Sequence, residues 1–308
     1  MSAVNTANPS IGFIGLGALG KGLSLALAER GRRVVGVHSR TTASAEWVAQ
    51  RIAGCQVFAL AQELCDQADL VFVTTPDGVI SQLAEEISWR SDQGVVHCCG
   101  AASEEILAPA AKQGAVTAAF HPCQTFACLS DPGQALERLR GVTFAVAGNG
   151  WVAEFLRRLA VDLGGDHITV PDGKRPLYHA ASVMACGQFV ALLRGAVQLW
   201  EGMGFTQEEA VQALYPLCRS TLDNVAGHGL TASATGPVMR GDIVTIKTHL
   251  EALDDGFKDL IPAYIALTRE SLPIAKAKGL ADSQIEDMRF LIDRISQVAN
   301  DDVSKDQA

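Results

Sequence analysis

The chain has no cluster of basic residues. Its 25 Lys and Arg are outnumbered by 34 Asp and Glu, giving a formal net charge of −9. That excludes the electrostatic footprint of a protein that binds nucleic acid or an anionic membrane surface, and an anionic substrate would need locally supplied positive charge. The eight cysteines (55, 65, 98, 99, 123, 128, 186, 218) contain no Cys-x-x-Cys pair and lie mostly in apolar runs. Reduced, buried thiols are expected, without disulfides. A zinc site assembled from His97, Cys98, Cys99, His121, Cys123 and Cys128 is not expected either, because the short paired ligand spacings are missing. Residues 1–10 lack Lys, Arg and any apolar core, so no signal peptide or anchor is expected and the cytoplasm is the expected location. Internal repeats and low-complexity segments are also missing.

What is present is a long, moderately apolar chain of 308 residues, 48% hydrophobic and 19% charged, sufficient for two domains with their own cores. Its organising stretch is residues 11–41. The apolar run Ile11-Gly12-Phe13-Ile14 enters Gly15-Leu16-Gly17-Ala18-Leu19-Gly20, an amphipathic segment follows, and Val34-Val35-Gly36-Val37-His38 ends at Ser39-Arg40-Thr41. Strand, Gly-x-Gly-x-x-Gly, helix and second strand at this spacing form a dinucleotide-binding unit. Gly15 permits the turn, Gly17 leaves room for a pyrophosphate, and Gly20 lets the helix pack on the sheet. A site for NAD places Asp or Glu at the end of the second strand. Here Ser39, Arg40 and Thr41 offer hydroxyls and a guanidinium to a 2′-phosphate, so NADP(H) is the expected cofactor.

Further along, Asp69 to Thr74 reads as a buried strand closed by Thr75-Pro76-Asp77-Gly78, whose residues 75–77 are candidates to border the nicotinamide half. Strands at 94–97 and 113–120 end in loops at 98–103 and 121–128, and all three loops should converge. Alternation of strands and helices continues to a turn at Pro171-Asp172-Gly173, after which only helical patterns remain. The expected architecture is α/β, a Rossmann doubly wound parallel sheet over residues 1–172 followed by an all-α domain over 173–308. Leu177 to Met203 reads as one long helix. Its apolar stretch to Trp200 is long enough to suggest a membrane span, but it contains His179, Gln188, Arg194 and Gln198. It is therefore assigned to a protein core or a dimer contact, not to a membrane. Thr206-x-x-Glu209 opens a helix to about Val225 that can bend at Pro216, and Asp242 can cap the helix after a glycine-rich link at 227–241.

For proton transfer the candidates are His121 at a strand end and His179 in the first turn of the long helix, with Tyr178 and Lys174 second. For each histidine the alternative is a ring held structurally by a backbone carbonyl. Arg240 is a candidate to bind a substrate carboxylate or phosphate, or equally to pair with an acid across a domain contact.

The glycine loop, Thr75-Pro76-Asp77, His97 with Gly100, His121-Pro122, Leu177-Tyr178-His179-Ala180-Ala181, Thr235-Gly236-Pro237, Arg240-Gly241-Asp242 and His249-Leu250 together resemble one family. It is the Rossmann-like proteins whose C-terminal half is the domain of unknown function 2520. The resemblance implies a fold similar to the 6-phosphogluconate, prephenate and pyrroline-5-carboxylate dehydrogenase or reductase clan, an NADP-binding domain, and a helical domain that commonly dimerises. It implies no particular substrate. Two positions depart from the family pattern. The loop usually written His-x-Ser-Gly is here His97-Cys98-Cys99-Gly100, which puts Cys99 among the cofactor-side candidates, and a Ser-Asn pair is replaced by Cys186-Gly187. The leading expectation is an NADP(H)-dependent oxidoreductase, a homodimer acting by hydride transfer on a C–O or C–N bond of a small, anionic metabolite. A prephenate-type oxidative decarboxylation and a cofactor-binding protein without turnover stand as alternatives.

Overall fold

The computed structural model describes residues 4–129, 131 and 133–305. By internal contacts the chain divides into two units, Met1–Gln188 and Phe189–Ala308.

In the first unit, strands and helices alternate. They run β1 (Ile11–Ile14), α1 (Ala18–Glu29), β2 (Val34–His38), α2 (Thr42–Ala49), β3 (Gln56–Val57), α3 (Ala61–Gln67), β4 (Leu70–Val73) and α4 (Ile80–Glu86). They continue through β5 (Gly94–His97), α5 (Ala108–Lys112), β6 (Val116–Pro122), α6 (Gly133–Arg138), β7 (Thr143–Gly148), α7 (Gly150–Asp162), β8 (Asp166–Thr169) and α8 (Arg175–Ala185). The strands form one sheet in the order β3-β2-β1-β4-β5-β6-β7-β8. Strands are added in one direction from β1 to β3 and in the other from β4 onward, so the switch falls between the parallel neighbours β1 and β4 and places a ligand crevice beyond their carboxyl ends.

Period-2 alternation explains how so few residues per strand bury both faces. Phe13, Phe72, Val96, Phe120 and Phe144 pack on one face, and Ile14, Val71, Val73 and Val95 on the other. The Phe13 and Phe72 rings stack at 5.0 Å, and Phe120 and Phe144 at 4.4 Å. Truncating one such buried ring costs about 3–5 kcal/mol.

The second unit is helical. After α9 (Gly187–Gly202), which begins at the boundary, come α10 (Gln207–Ser233), α11 (Pro237–Arg240), α12 (Ile243–Asp254), α13 (Ile261–Ala277) and α14 (Asp282–Lys305). Its core contains Ile246, Leu250, Ile265, Leu272, Met288 and Ile292. The expected caps form: Thr206 Oγ1 accepts from Glu209 N–H at 3.2 Å, and Asp242 accepts from Thr245 N–H at 3.0 Å.

Several details differ from the sequence reading. The long helix over 177–203 is two helices, because Cys186 leaves helical geometry at φ −122°, ψ −81°. It is also not a core helix of the single chain. Within α8 and α9 only Arg175 and Val197 are buried, while Leu177, Met184 and Val190 are 63–68% exposed. The next helix runs past Val225 to Ser233, and its break lies at Gly229, at φ 79°, ψ 169°, rather than at Pro216. That φ is open to glycine at little cost. The sheet is not parallel throughout, since β7 runs antiparallel to β6. The segment 123–140, expected to be irregular, contains α6. The contact boundary at Gln188 lies beyond the turn at 171–173, because α8 bonds to first-unit residues through Arg175 and Tyr178. The cysteines are free, and of the eight, expected to be mostly buried, only Cys65, Cys98 and Cys99 are so, while Cys123, Cys128 and Cys186 are exposed.

Candidate functional site

The glycine loop has the shape its spacing implies. Gly15 adopts φ +91°, and a Cβ built there would lie 2.7 Å from Thr75 Cγ2. A Cβ at Gly20 would lie within 3.0 Å of the Gly15 carbonyl, so α1 packs onto the turn with no space for a methyl group. Gly17 is different: a Cβ there would meet nothing within 4 Å. It is exposed and caps α1 with no side-chain hydrogen bond, leaving the amides of that first turn for another acceptor. Leu16 is buried beneath the loop, and Ala18 and Leu19 are half-buried. Facing this turn, Thr74 donates its hydroxyl to the Gly15 carbonyl, while the Thr75 hydroxyl oxygen is buried with no partner among the described residues. A cradle with free amides, open space over Gly17 and an orphaned hydroxyl beside it fits a dinucleotide pyrophosphate.

At the end of β2, Ser39 is half-buried and Arg40 and Thr41 are exposed. Ser39 Oγ accepts from Thr41 N–H at 3.3 Å, which closes the turn and leaves the Arg40 side chain in solvent. Pro76 and Asp77 are exposed in the loop after β4.

A second group gathers beyond β5 and β6. His97 is fully buried, its Nε2 donates to the Ser103 carbonyl at 3.0 Å, and its Nδ1 accepts from Cys99 N–H at 3.1 Å. With both ring nitrogens committed this way, His97 is a neutral clamp on the 98–103 loop. Burial, reinforced by the Arg175 charge, pushes its pKa down to about 4. Burial raises the Cys99 thiol, with the neighbouring Asp77 carboxylate adding to the effect, so Cys99 is held protonated.

Next to this clamp stand three side chains. Tyr178 Oη and His121 Nδ1 are hydrogen-bonded at 2.8 Å, and the His121 ring meets those of Tyr178 and His179 edge-on at 5.6 and 6.2 Å. Burial, then the charges of Arg175 and His179, lowers the His121 pKa to about 4. Burial raises the Tyr178 phenol to about 12. Gly100 makes the approach possible: a Cβ there would lie 2.6 Å from His179 Cδ2 and 2.8 Å from His121 Nε2. One α-helical turn after Tyr178, Ser182 Oγ lies 3.6 Å from Cys123 Sγ.

The structure thus brings His121, Tyr178 and His179 together around Gly100, with Cys99 close by. It leaves Lys174 exposed at the cap position of α8. Arg240 belongs to the second unit, exposed at the end of α11, next to the capping Asp242. Sequence reasoning passed over Arg175, and it named Gly100 only as part of a family motif, without its role between the two histidines. Arg175 stands beside a proline at a helix start and is only 3% exposed, with Nη2 donating to the Cys99 carbonyl at 2.9 Å. Its sequence context, a basic pair before Pro176, reads as an ordinary solvated cap.

Residues 1–122 match the family model of a Rossmann-like domain, and residues 142–271 match that of the domain of unknown function DUF2520. No curated protein matches the chain. Among solved structures, a protein of Thermotoga maritima is 24% identical, spans 87% of this chain and 99% of its own, and superposes with a TM-score of 0.71. A proposed NADP oxidoreductase of Bacteroides fragilis is also 24% identical, over 86% of this chain and 98% of its own, at 0.65. A reductive aminase of Aspergillus terreus, in complex with NADPH and ethyl levulinate, is 14% identical over 94% of both chains, at 0.59. At these identities the likeness concerns the fold.

Proposed function

We propose that this chain, which belongs to the Rossmann-like proteins with a C-terminal DUF2520 domain, is an NADP(H)-dependent oxidoreductase. Its substrate is a small, anionic metabolite with a C–O or C–N bond that gains or loses hydride. The observation that carries the reading is the pairing of two features on one unit. The cradle around Gly15, Gly17 and Thr75 lies beyond β1 and β4, and the His121–Tyr178–His179 group lies beyond β5 and β6. The folds of the B. fragilis and A. terreus proteins, both named for NADP chemistry, agree with it.

The α1 amides and the Thr75 hydroxyl would hold the pyrophosphate, with Leu16, Ala18 and Leu19 shaping the loop beneath it. Ser39, Arg40 and Thr41 would hold the 2′-phosphate, and the exposure of Arg40 leaves its guanidinium free to do so. Pro76, Asp77 and Cys99 would border the nicotinamide end. When bound, the nicotinamide supplies or accepts the hydride. The chain must then move one proton at the substrate oxygen or nitrogen. His121, with its pKa pulled to about 4, has no proton to give near neutrality, and the Tyr178 phenol, at about 12, holds its proton too tightly. That leaves His179 as the acid or base. Tyr178 donates to His121 Nδ1, and the pair fixes the edge against which His179 stands. Lys174 and Arg240 are reserve candidates, Arg240 for anchoring an anionic group.

The exposed apolar side chains of α8, α9 and α10, among them Met184, Val190, Tyr215, Leu217 and Leu222, support a homodimer in which a second copy covers them. A small-molecule partner suffices for this chemistry, and neither nucleic acid nor membrane enters it.

The test is a fluorescence titration with NADPH and NADH on wild type and Arg40→Ala, followed by a carbonyl and imine substrate panel on wild type and His179→Gln. NADPH binds tighter, and Arg40→Ala removes roughly ten- to a hundredfold of its affinity while leaving NADH unchanged. His179→Gln abolishes turnover with NADPH affinity intact. Absence of binding by either nucleotide would sink the reading.

A further inference from the structure

Arg175 poses a problem of charge. Its side chain is 3% exposed, yet only Nη2 has a partner, the Cys99 carbonyl. Nε and Nη1 are buried without a hydrogen-bond partner among the described residues. A buried guanidinium that has no carboxylate within ion-pair distance among the described residues, and no partners for most of its donors, is among the costliest arrangements a fold can hold. The Glu104 carboxylate acts on it only from beyond that distance, and burial outweighs its effect. The closer neighbours do not relieve it: His97 and His121 are held neutral, Cys98 and Cys99 are protonated thiols, and Tyr178 keeps its phenolic proton. Arg175 belongs to the same group of side chains as the proposed acid and base, since Tyr178 and His179 follow it within one turn of α8.

We infer that Arg175 is an anion receptor built into the floor of the site, and that the group it receives is a monoanionic carboxylate of the substrate. A single positive charge with free donors on two nitrogens matches one carboxylate. A phosphate dianion would need a second cation held at the same place, and the neighbouring Lys174 is exposed at the cap of α8. The inference rests on the functional reading above only in making that carboxylate part of a substrate. It also moves the anchoring role from Arg240, which is solvent-exposed, to a residue next to the reacting group.

The test needs neither nucleotide nor turnover. Acetate and its neutral isostere acetamide are titrated into the full-length protein, following the Arg175 Nε–H resonance by 15N NMR, identified by its loss in Arg175→Met. Thermal unfolding is recorded in parallel. Acetate produces a saturable shift of that resonance and raises the melting temperature, and acetamide does neither. Arg175→Met, which exchanges an uncompensated cation for an apolar side chain of similar length, folds and weakens acetate binding by roughly ten- to a hundredfold. No saturable shift with acetate, an equal response to acetamide, or tighter Arg175-dependent binding of inorganic phosphate than of acetate each overturns the inference. Should Arg175→Met fail to fold, Arg175→Lys, which keeps the charge but has no guanidinium Nε–H, identifies the resonance, and the wild-type contrast between acetate and acetamide decides it. Failure of NADPH to bind overturns the functional reading and leaves the acetate result standing by itself.

Discussion

Two glycines of one motif should respond in opposite ways to the same added methyl group. At Gly17 the backbone has φ −70°, ψ −167°, which any L-residue adopts, and a Cβ meets nothing within 4 Å. Gly17→Ala should therefore leave stability within about 0.5 kcal/mol of wild type. At Gly20 a Cβ would press on the Gly15 carbonyl and lie 2.6 Å from Thr74 Oγ1, the hydroxyl that donates to that same carbonyl. Backbone cannot yield as a side-chain tip can, so Gly20→Ala should cost about 1–3 kcal/mol through overpacking. For a chain of this size each kcal/mol lowers the melting temperature by roughly 2–4 °C. Nucleotide binding should reverse the ranking of what matters. The open space over Gly17 is where the pyrophosphate would approach, and a methyl group there blocks at least one charge-assisted contact worth about 1.5–3 kcal/mol. Gly17→Ala should then melt like wild type while binding NADPH roughly ten- to a hundredfold more weakly in a fluorescence titration. Wild-type affinity in a normally folded Gly17→Ala protein would show that the pyrophosphate does not pass over this loop.

Gly100→Ala should displace His179, His121 or both, and lower turnover by roughly a hundredfold, as a misplacement of about 1 Å can. NADPH affinity, measured separately, stays constant, and unchanged turnover would remove Gly100 as a positioning residue. The stability of the first unit should fall on acidification. His97 titrates near 4 when folded and near 6.5 when unfolded, so between those values the unfolded chain binds the extra proton. Stability that is whole above pH 6.5 is lost as pH falls toward 4, on the order of 2 kcal/mol by about pH 5. Urea unfolding at two pH values checks this, and a His97→Gln variant with an undiminished pH slope would contradict it. Sedimentation should find wild type as a dimer and Val190→Asp shifted toward monomer, since Val190 is 63% exposed on α9; a monomeric wild type ends the dimer proposal.

The α/β order, the glycine loop and the first-turn caps of α10 and α12 were legible in the sequence because each depends on neighbours within a few residues. Gly-x-Gly-x-x-Gly, Thr206-x-x-Glu209 and Asp242 act locally, and local spacing reveals them. The direction of β7 was not legible, since Thr143–Gly148 is the same apolar pattern whichever way it pairs. The apolar length of 177–200 was visible, but composition does not say whether a surface is covered by its own chain or left open. His121 and His179 stood out as titratable side chains at element ends. Their dependence on Gly100, and the burial of Arg175, arise from contacts between residues 21 to 79 positions apart in the chain, which no local pattern records.

The division of the thiols also makes the chain its own reporter. Burial raises the pKa values of Cys65 and Cys98 and shields both from alkylating reagents, whereas Cys123 is exposed, with its sulfur against Ser182 on the helix that carries Tyr178 and His179. A fluorophore attached at Cys123, with Cys128 and Cys186 replaced by serine, would sit at the rim of the histidine group. Its emission would register occupancy by candidate compounds before any of them is known to react.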